Sequence, residues 1–189
     1  MIRITDIENG LKASEQGTFQ RICNEILGIK GYIPYKYTGT VIGTNKTRKG
    51  TPDSVFYDEK GNYVYIEATV QQTNLTKKIN DDIEKCLLKI NKNSILKDKV
   101  SKIFFFHNST NIEENETELI KKKCEPIELV IIGIEYLSSF IQKNSVRLPS
   151  TLALLCLRED SNIISKLSEE SIEMSCSFPI CSNIPSEHI

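Results

Sequence analysis

The strongest constraint in this sequence is a turn that fixes which residues face one another across two strands. Residues 53–57 (Asp-Ser-Val-Phe-Tyr) and 62–69 (Asn-Tyr-Val-Tyr-Ile-Glu-Ala-Thr) are rich in the β-branched and aromatic residues that strands favour. Between them stand Glu59, Lys60 and Gly61. A three-residue hairpin loop holds its third residue in the left-handed region, and Gly61 occupies that place. With this turn Tyr57 faces Tyr63, Val55 faces Tyr65 and Asp53 faces Glu67. Directly opposed side chains have Cβ atoms about 4.5–5.5 Å apart. Two carboxylates at that separation on an otherwise apolar strand pair repel each other, and a hard divalent cation bound through oxygen compensates them. Side chains repeat every two residues along a strand, so Thr69 and Gln71 share the face of Glu67.

The rest of the chain supplies helices and further strands around this hairpin. From Ser14, read as an N-cap, Phe19, Ile22, Cys23, Ile26 and Leu27 form one helical stripe that Gly28 and Gly31 close. A strand is expected over Tyr32–Tyr37, followed by a basic loop carrying Lys46, Arg48 and Lys49. Thr76 opens a second amphipathic helix through Ile79, Ile83, Cys86, Leu87 and Ile90. Strands at Lys102–Phe106 and Ile127–Ile132 then alternate with helices at Glu114–Lys123, Glu135–Lys143 and Pro149–Leu157. The order αβββαβαβα indicates an α/β (α+β) domain over residues 1–157, with a mixed sheet covered on both faces. Residues 158–189 show no sustained periodicity and read as a flexible acidic linker toward a missing C-terminal region.

Charge and cysteine usage bound the setting. The net charge is −1, but residues 158–189 hold six acids against two bases, which leaves residues 1–157 at +3. That is a mild lean toward a polyanion. The cysteines at 23, 86, 124, 156, 176 and 181 include no CxxC pair, and there are only two histidines, a poor set for zinc. Cys23, Cys86, Cys124 and Cys156 fall in apolar periodic segments and read as small core hydrophobes. No secretory leader and no membrane-length apolar run is evident, so a reducing cytoplasm is expected. His107 reads as a polar residue at a strand end. Tyr32, Tyr35 and Tyr37 read as strand packing rather than a surface for stacking bases.

Gly50-Thr51-Pro52-Asp53, thirteen residues, then Glu67-Ala68-Thr69 resembles the signature of the PD-(D/E)xK, or restriction-endonuclease-like, nuclease superfamily. The likeness extends over residues 10–145, since helices precede and follow the hairpin where that family has them. The run Lys46–Asp53 with Glu67-Ala68-Thr69-Val70-Gln71-Gln72 further resembles nuclease-like modules at the amino terminus of large bacterial antiphage defence proteins, ahead of NTPase or repeat regions. The resemblance implies a metal-dependent DNA endonuclease acting as an effector domain. Asp53, Glu67 and the Ala68 carbonyl would hold Mg²⁺ or Mn²⁺, and Glu15 would add a carboxylate through water. Lys46, Arg48 and Lys49 would grip the DNA backbone.

The sequence departs from the family at Thr69, where a lysine usually stands. Lys77 or Lys78 from the following helix, Lys49 from the preceding loop, or Gln71 as a weaker polar group would have to stand in for that lysine. Two other readings keep the fold: an inactive nuclease-derived module that binds DNA, and an oligomerisation module contacting partners through helices 76–92 and 135–143.

Overall fold

A computed structural model describes residues 2–37, 51–110 and 112–156. The elements run α1 (Ile4–Ala13), α2 (Gln16–Ile29), β1 (Ile33–Tyr37), β2 (Ser54–Tyr57), β3 (Tyr63–Thr69), α3 (Leu75–Asn91), a single helical turn α4 (Ser94–Lys97), β4 (Val100–His107), α5 (Glu114–Cys124), β5 (Glu128–Ile132), α6 (Ile134–Lys143), a 3₁₀ turn (Ser145–Arg147) and α7 (Pro149–Leu154). The five strands form one mixed sheet in the order β1-β2-β3-β4-β5. β2 is antiparallel to both of its neighbours, β1 and β3, whereas β3–β4 and β4–β5 are parallel. This follows from the connections: three residues suffice for a hairpin, but a parallel neighbour needs a helical crossover, here α3 and α5. The domain is therefore mixed α/β. The expected linker at 158–189 and the basic loop with Lys46, Arg48 and Lys49 lie outside the described residues.

Strand alternation builds one core on each face of the sheet. Phe56, Val64, Ile66, Ala68, Phe104, Phe106 and Ile132 point to one side and pack with α1, α2, α6 and α7. Val55, Tyr65, Ile103, Phe105 and Leu129 point to the other and pack with Ile79, Ile83, Cys86 and Ile90 of α3 and Ile120 and Cys124 of α5. The hairpin has the expected register, Tyr57 against Tyr63 through Ser54 against Ile66. Gly61 takes φ +79°, and the turn is secured by Asp58, whose Oδ1 accepts from the N–H groups of Lys60 (2.9 Å) and Asn62 (2.8 Å).

Several local expectations change. Helix α1 was not anticipated; Ile7 and Leu11 are fully buried, and Gly10 lets Leu155 approach so closely that a Cβ would sit 3.2 Å from that side chain. Ser14 does not cap α2, because α1 runs up to it and its hydroxyl donates back to the Gly10 carbonyl at 2.8 Å; Glu15 is the N-cap instead. Thr76 does not cap α3 either. Asn74, with φ +52°, precedes that helix, and the Thr76 hydroxyl donates to Glu116 at 2.8 Å. Cys23, Cys86 and Cys124 are buried, but Cys156 is exposed just beyond α7.

Candidate functional site

The ladder between β2 and β3 ends at Ser54 and Ile66, one residue short of Asp53 and Glu67. There the chain bends at Thr51, Pro52 and Asp53, and Asp53 Oδ2 accepts the Ala68 N–H at 3.0 Å. The carboxylate of Asp53 thus closes over the end of β3 beside Glu67. Glu67 lies on the α3 side with Tyr65, is 5% exposed, and accepts from the Cys86 thiol at 3.2 Å. Helix α3 presents Lys78, Asp82 and Cys86, four residues apart, to this end of the sheet. Asp82 is held between Lys78 Nζ at 2.7 Å and Lys85 Nζ at 2.8 Å.

The electrostatics reflect this crowding. Burial raises Asp53 to about 6, outweighing the hydrogen bonds from Ala68 N–H and the Gln20 amide. Glu67 is pushed well above the ordinary carboxylate range by burial first and by the negative charge of Asp53 second. Asp82 pushes both upward and Lys78 pulls both down, so the α3 stripe is within electrostatic reach of the pair. The Cys86 thiol is raised by burial and then by Glu67, so it remains protonated and serves Glu67 as a weak donor.

The other expected site residues fall in different places. Glu15 is exposed at the start of α2. Its neighbours Gln16 and Gln20 are the residues that reach the strand end. Gln16 donates to the Ala68 carbonyl and accepts the Val70 N–H at 3.1 Å, clamping the end of β3. The Ala68 carbonyl, expected toward a metal, is therefore engaged by Gln16. Thr69 is buried opposite His107 of β4, and its hydroxyl accepts the Gln71 N–H at 3.2 Å. Gln71 is exposed and donates to the Thr73 carbonyl at 2.7 Å, away from the pair. Lys77 is exposed, and it is Lys78, one position on, that stands beside the carboxylates. His107 is buried, its pKa lowered by desolvation, with Nδ1 against the Ser109 carbonyl at 3.1 Å.

Lys78 was one of the lysines expected to stand in for the motif lysine; Gln16, Gln20, Asp82 and the contact of Cys86 with Glu67 were not anticipated, although the phase of the α3 stripe does carry Asp82. Asp82 follows Ile79 by three residues and precedes Cys86 by four, so it shares the buried face.

Two carboxylates with few donors suit a magnesium-type cation, which binds one or two protein carboxylates and keeps water and phosphate oxygens as its other ligands. Gln20 supports the fit: its amide donates to Asp53, yet its Oε1 is buried without a partner, an acceptor ready for a water in the cation's shell. Among the described residues no group of three or more His, Cys, Asp or Glu side chains is arranged to hold a metal unaided. No helix among them is long and apolar enough to cross a membrane. Comparison with family models, curated proteins and solved structures finds no match for this chain.

Proposed function

We propose that this chain is a metal-dependent endonuclease domain of the restriction-endonuclease-like, PD-(D/E)xK type, hydrolysing phosphodiester bonds in DNA. The observation that carries the reading is the pairing of two raised carboxyls, buried Glu67 and half-buried Asp53, at the carboxyl end of β3, where Asp53 closes over the Ala68 N–H. Structure alone gives such a pair no benefit, since each charge disfavours the other. Asp53 and Glu67 would hold Mg²⁺ or Mn²⁺, which when bound neutralises phosphate charge and makes water a better nucleophile. Hydrolysis forms a bond from water oxygen to phosphorus and breaks one phosphorus–ester bond. The released strand end takes a proton to become a hydroxyl, and the other end keeps the phosphate.

The chain's own residues supply position and charge. Gln16 and the Asp53–Ala68 hydrogen bond fix the strand end. Lys78 would provide the positive charge that Thr69 lacks, its ammonium held by Asp82 at 2.7 Å within electrostatic reach of the pair. The wider reading, an effector unit of a larger cytoplasmic defence protein with NTPase or repeat domains and self-association, is supported by the resemblance of the motif region. Plasmid nicking tests the core of it: cleavage in Mg²⁺ or Mn²⁺, abolished by EDTA and by Glu67→Ala or Asp53→Ala, is the expected result. Unchanged cleavage in either folded variant rules this site out.

A binding module without chemistry is the second reading, favoured by one observation: Lys78 is already ion-paired with Asp82. Under that reading DNA binds in EDTA and is never cut.

A further inference from the structure

Edge strand β1 departs from regular pairing at one residue. Pro34 pairs with Phe56 and Lys36 with Val55, so Tyr35 is bulged out of the ladder. Strict alternation would keep Tyr35 and Tyr37 on one face. The bulge separates them: Tyr37 packs on Phe56, on the α2 side, while Tyr35 turns to the α3 side against Tyr57 (5.0 Å between ring centroids) and Tyr63 (5.7 Å). Tyr57 and Tyr63 are themselves 5.2 Å apart, which completes a cluster of three rings. Tyr35 is 56% exposed, and every residue of β1 is exposed. Tyr35 does pack on its strand neighbours, as expected, but more than half of its surface stays open to solvent.

The surroundings are basic. Between residues 89 and 99 the chain carries four lysines and one acid, whereas Lys102 lies on the other face against Tyr32 and Glu128. The backbone of Lys99 abuts that of Tyr63, its carbonyl accepting the Tyr63 N–H at 2.7 Å, and Lys36 follows the bulged tyrosine. Lys92, Lys97 and Lys99 are exposed and have no ion-pair partner among the described residues. Tyr63 and Glu67 lie on the same face of β3, four residues and so about 13 Å apart. Helix α3 covers the face between them, where Tyr65 is buried, so a strand lying on the rings would have to pass around that helix to reach the carboxylates.

We propose that Tyr35, Tyr57 and Tyr63 are a stacking platform for unpaired bases of a nucleic-acid strand whose phosphates run over Lys36 and Lys99. Aromatic faces beside a basic track are the general means of holding single strands without reading sequence. The proposal deepens the nuclease reading by naming the substrate class as single-stranded or locally opened nucleic acid. It rests on that reading for its meaning, although the binding itself requires no metal.

The test is fluorescence anisotropy of a labelled oligothymidylate with the full chain in EDTA at low salt, against a duplex of equal length. Single strands are expected to bind more tightly than duplex. Tyr35→Ala and Tyr63→Ala should each weaken binding about tenfold, with Tyr35→Phe close to wild type. The chain has seven tyrosines and no tryptophan, so stacking also reads out as quenched tyrosine emission. Equal binding by wild type and Tyr35→Ala, or no binding by folded wild type, overturns the platform. So does a dimer that Tyr35→Ala dissolves without changing oligonucleotide affinity. Metal-dependent cleavage persisting alongside such results would leave the nuclease reading intact. Tyrosine-dependent binding without cleavage would remove that reading and keep the platform.

Discussion

The two ends of strand β3 treat carboxylates in opposite ways. At the turn before it, Asp58 collects four donors: the N–H groups of Lys60 and Asn62, the Asn62 amide and the Ser101 hydroxyl, all within 3.0 Å. Burial works to raise its pKa, but the donors outweigh it and the group sits below the usual range. At the far end, Glu67 accepts from one thiol and Asp53 from Ala68 N–H and Gln20, and both are raised. An acid that serves the fold is saturated with donors, whereas an acid kept under-donated inside a protein has room for a cation. This difference is the physical basis for proposing chemistry at the Asp53 end and a structural role at the Asp58 end.

The sharpest way to break the comparison is to neutralise the two ends separately. Glu67→Gln or Asp53→Asn is expected to lower metal-dependent cleavage on the order of a thousandfold while the far-ultraviolet circular dichroism stays native. Next in size, Lys78→Met should reduce kcat about ten- to a hundredfold, with KM changed less. Steady-state cleavage rates check both. Asp58→Ala should instead lower unfolding stability by about 1–2 kcal/mol in urea titration, since four donors lose their acceptor, and leave cleavage by the folded fraction intact.

A smaller effect concerns pH. Because Asp53 moves from 3.8 to about 6 on folding and Glu67 is also raised, the folded chain binds more protons than the unfolded one in that interval. Stability then falls as pH rises through it, the reverse of a salt-bridged carboxylate. Glu67→Gln should therefore be more stable than wild type at about pH 8 and no more stable at about pH 4, as read by urea titration at the two pH values. Smallest of all, Lys77→Ala should change neither cleavage nor stability, which separates it from Lys78; a cleavage loss equal to that of Lys78→Met would show that the phase of α3 has been misassigned.

Sequence alone carried the hairpin because its register depends on local chemistry: Gly61 demands one turn position, and alternation does the rest. The amphipathic stripes of α2 and α3 were legible for the same reason. Helix α1 was not, since only Ile4, Ile7 and Leu11 mark its face and its burial depends on α6 and on Leu155 beside Gly10. The site shows the same division. The nearness of Asp53 to Glu67 followed from the hairpin register even though the ladder stops one residue short of them, but Gln16 and Gln20 reach the strand end only because of how α2 crosses the sheet, a tertiary fact with no local signature. The face that Tyr35 takes was not legible, because a bulge shifts a side chain to the other face without any mark in the alternation.

The most direct test of the central claim is calorimetric titration of Mn²⁺ into wild-type protein and into Glu67→Gln, at a pH above the raised values of the pair. The account predicts one saturable site in the wild type, lost in the variant, with a matching rise in Tm confined to the wild type. Equal uptake by both proteins, or none by the folded wild type, would contradict it.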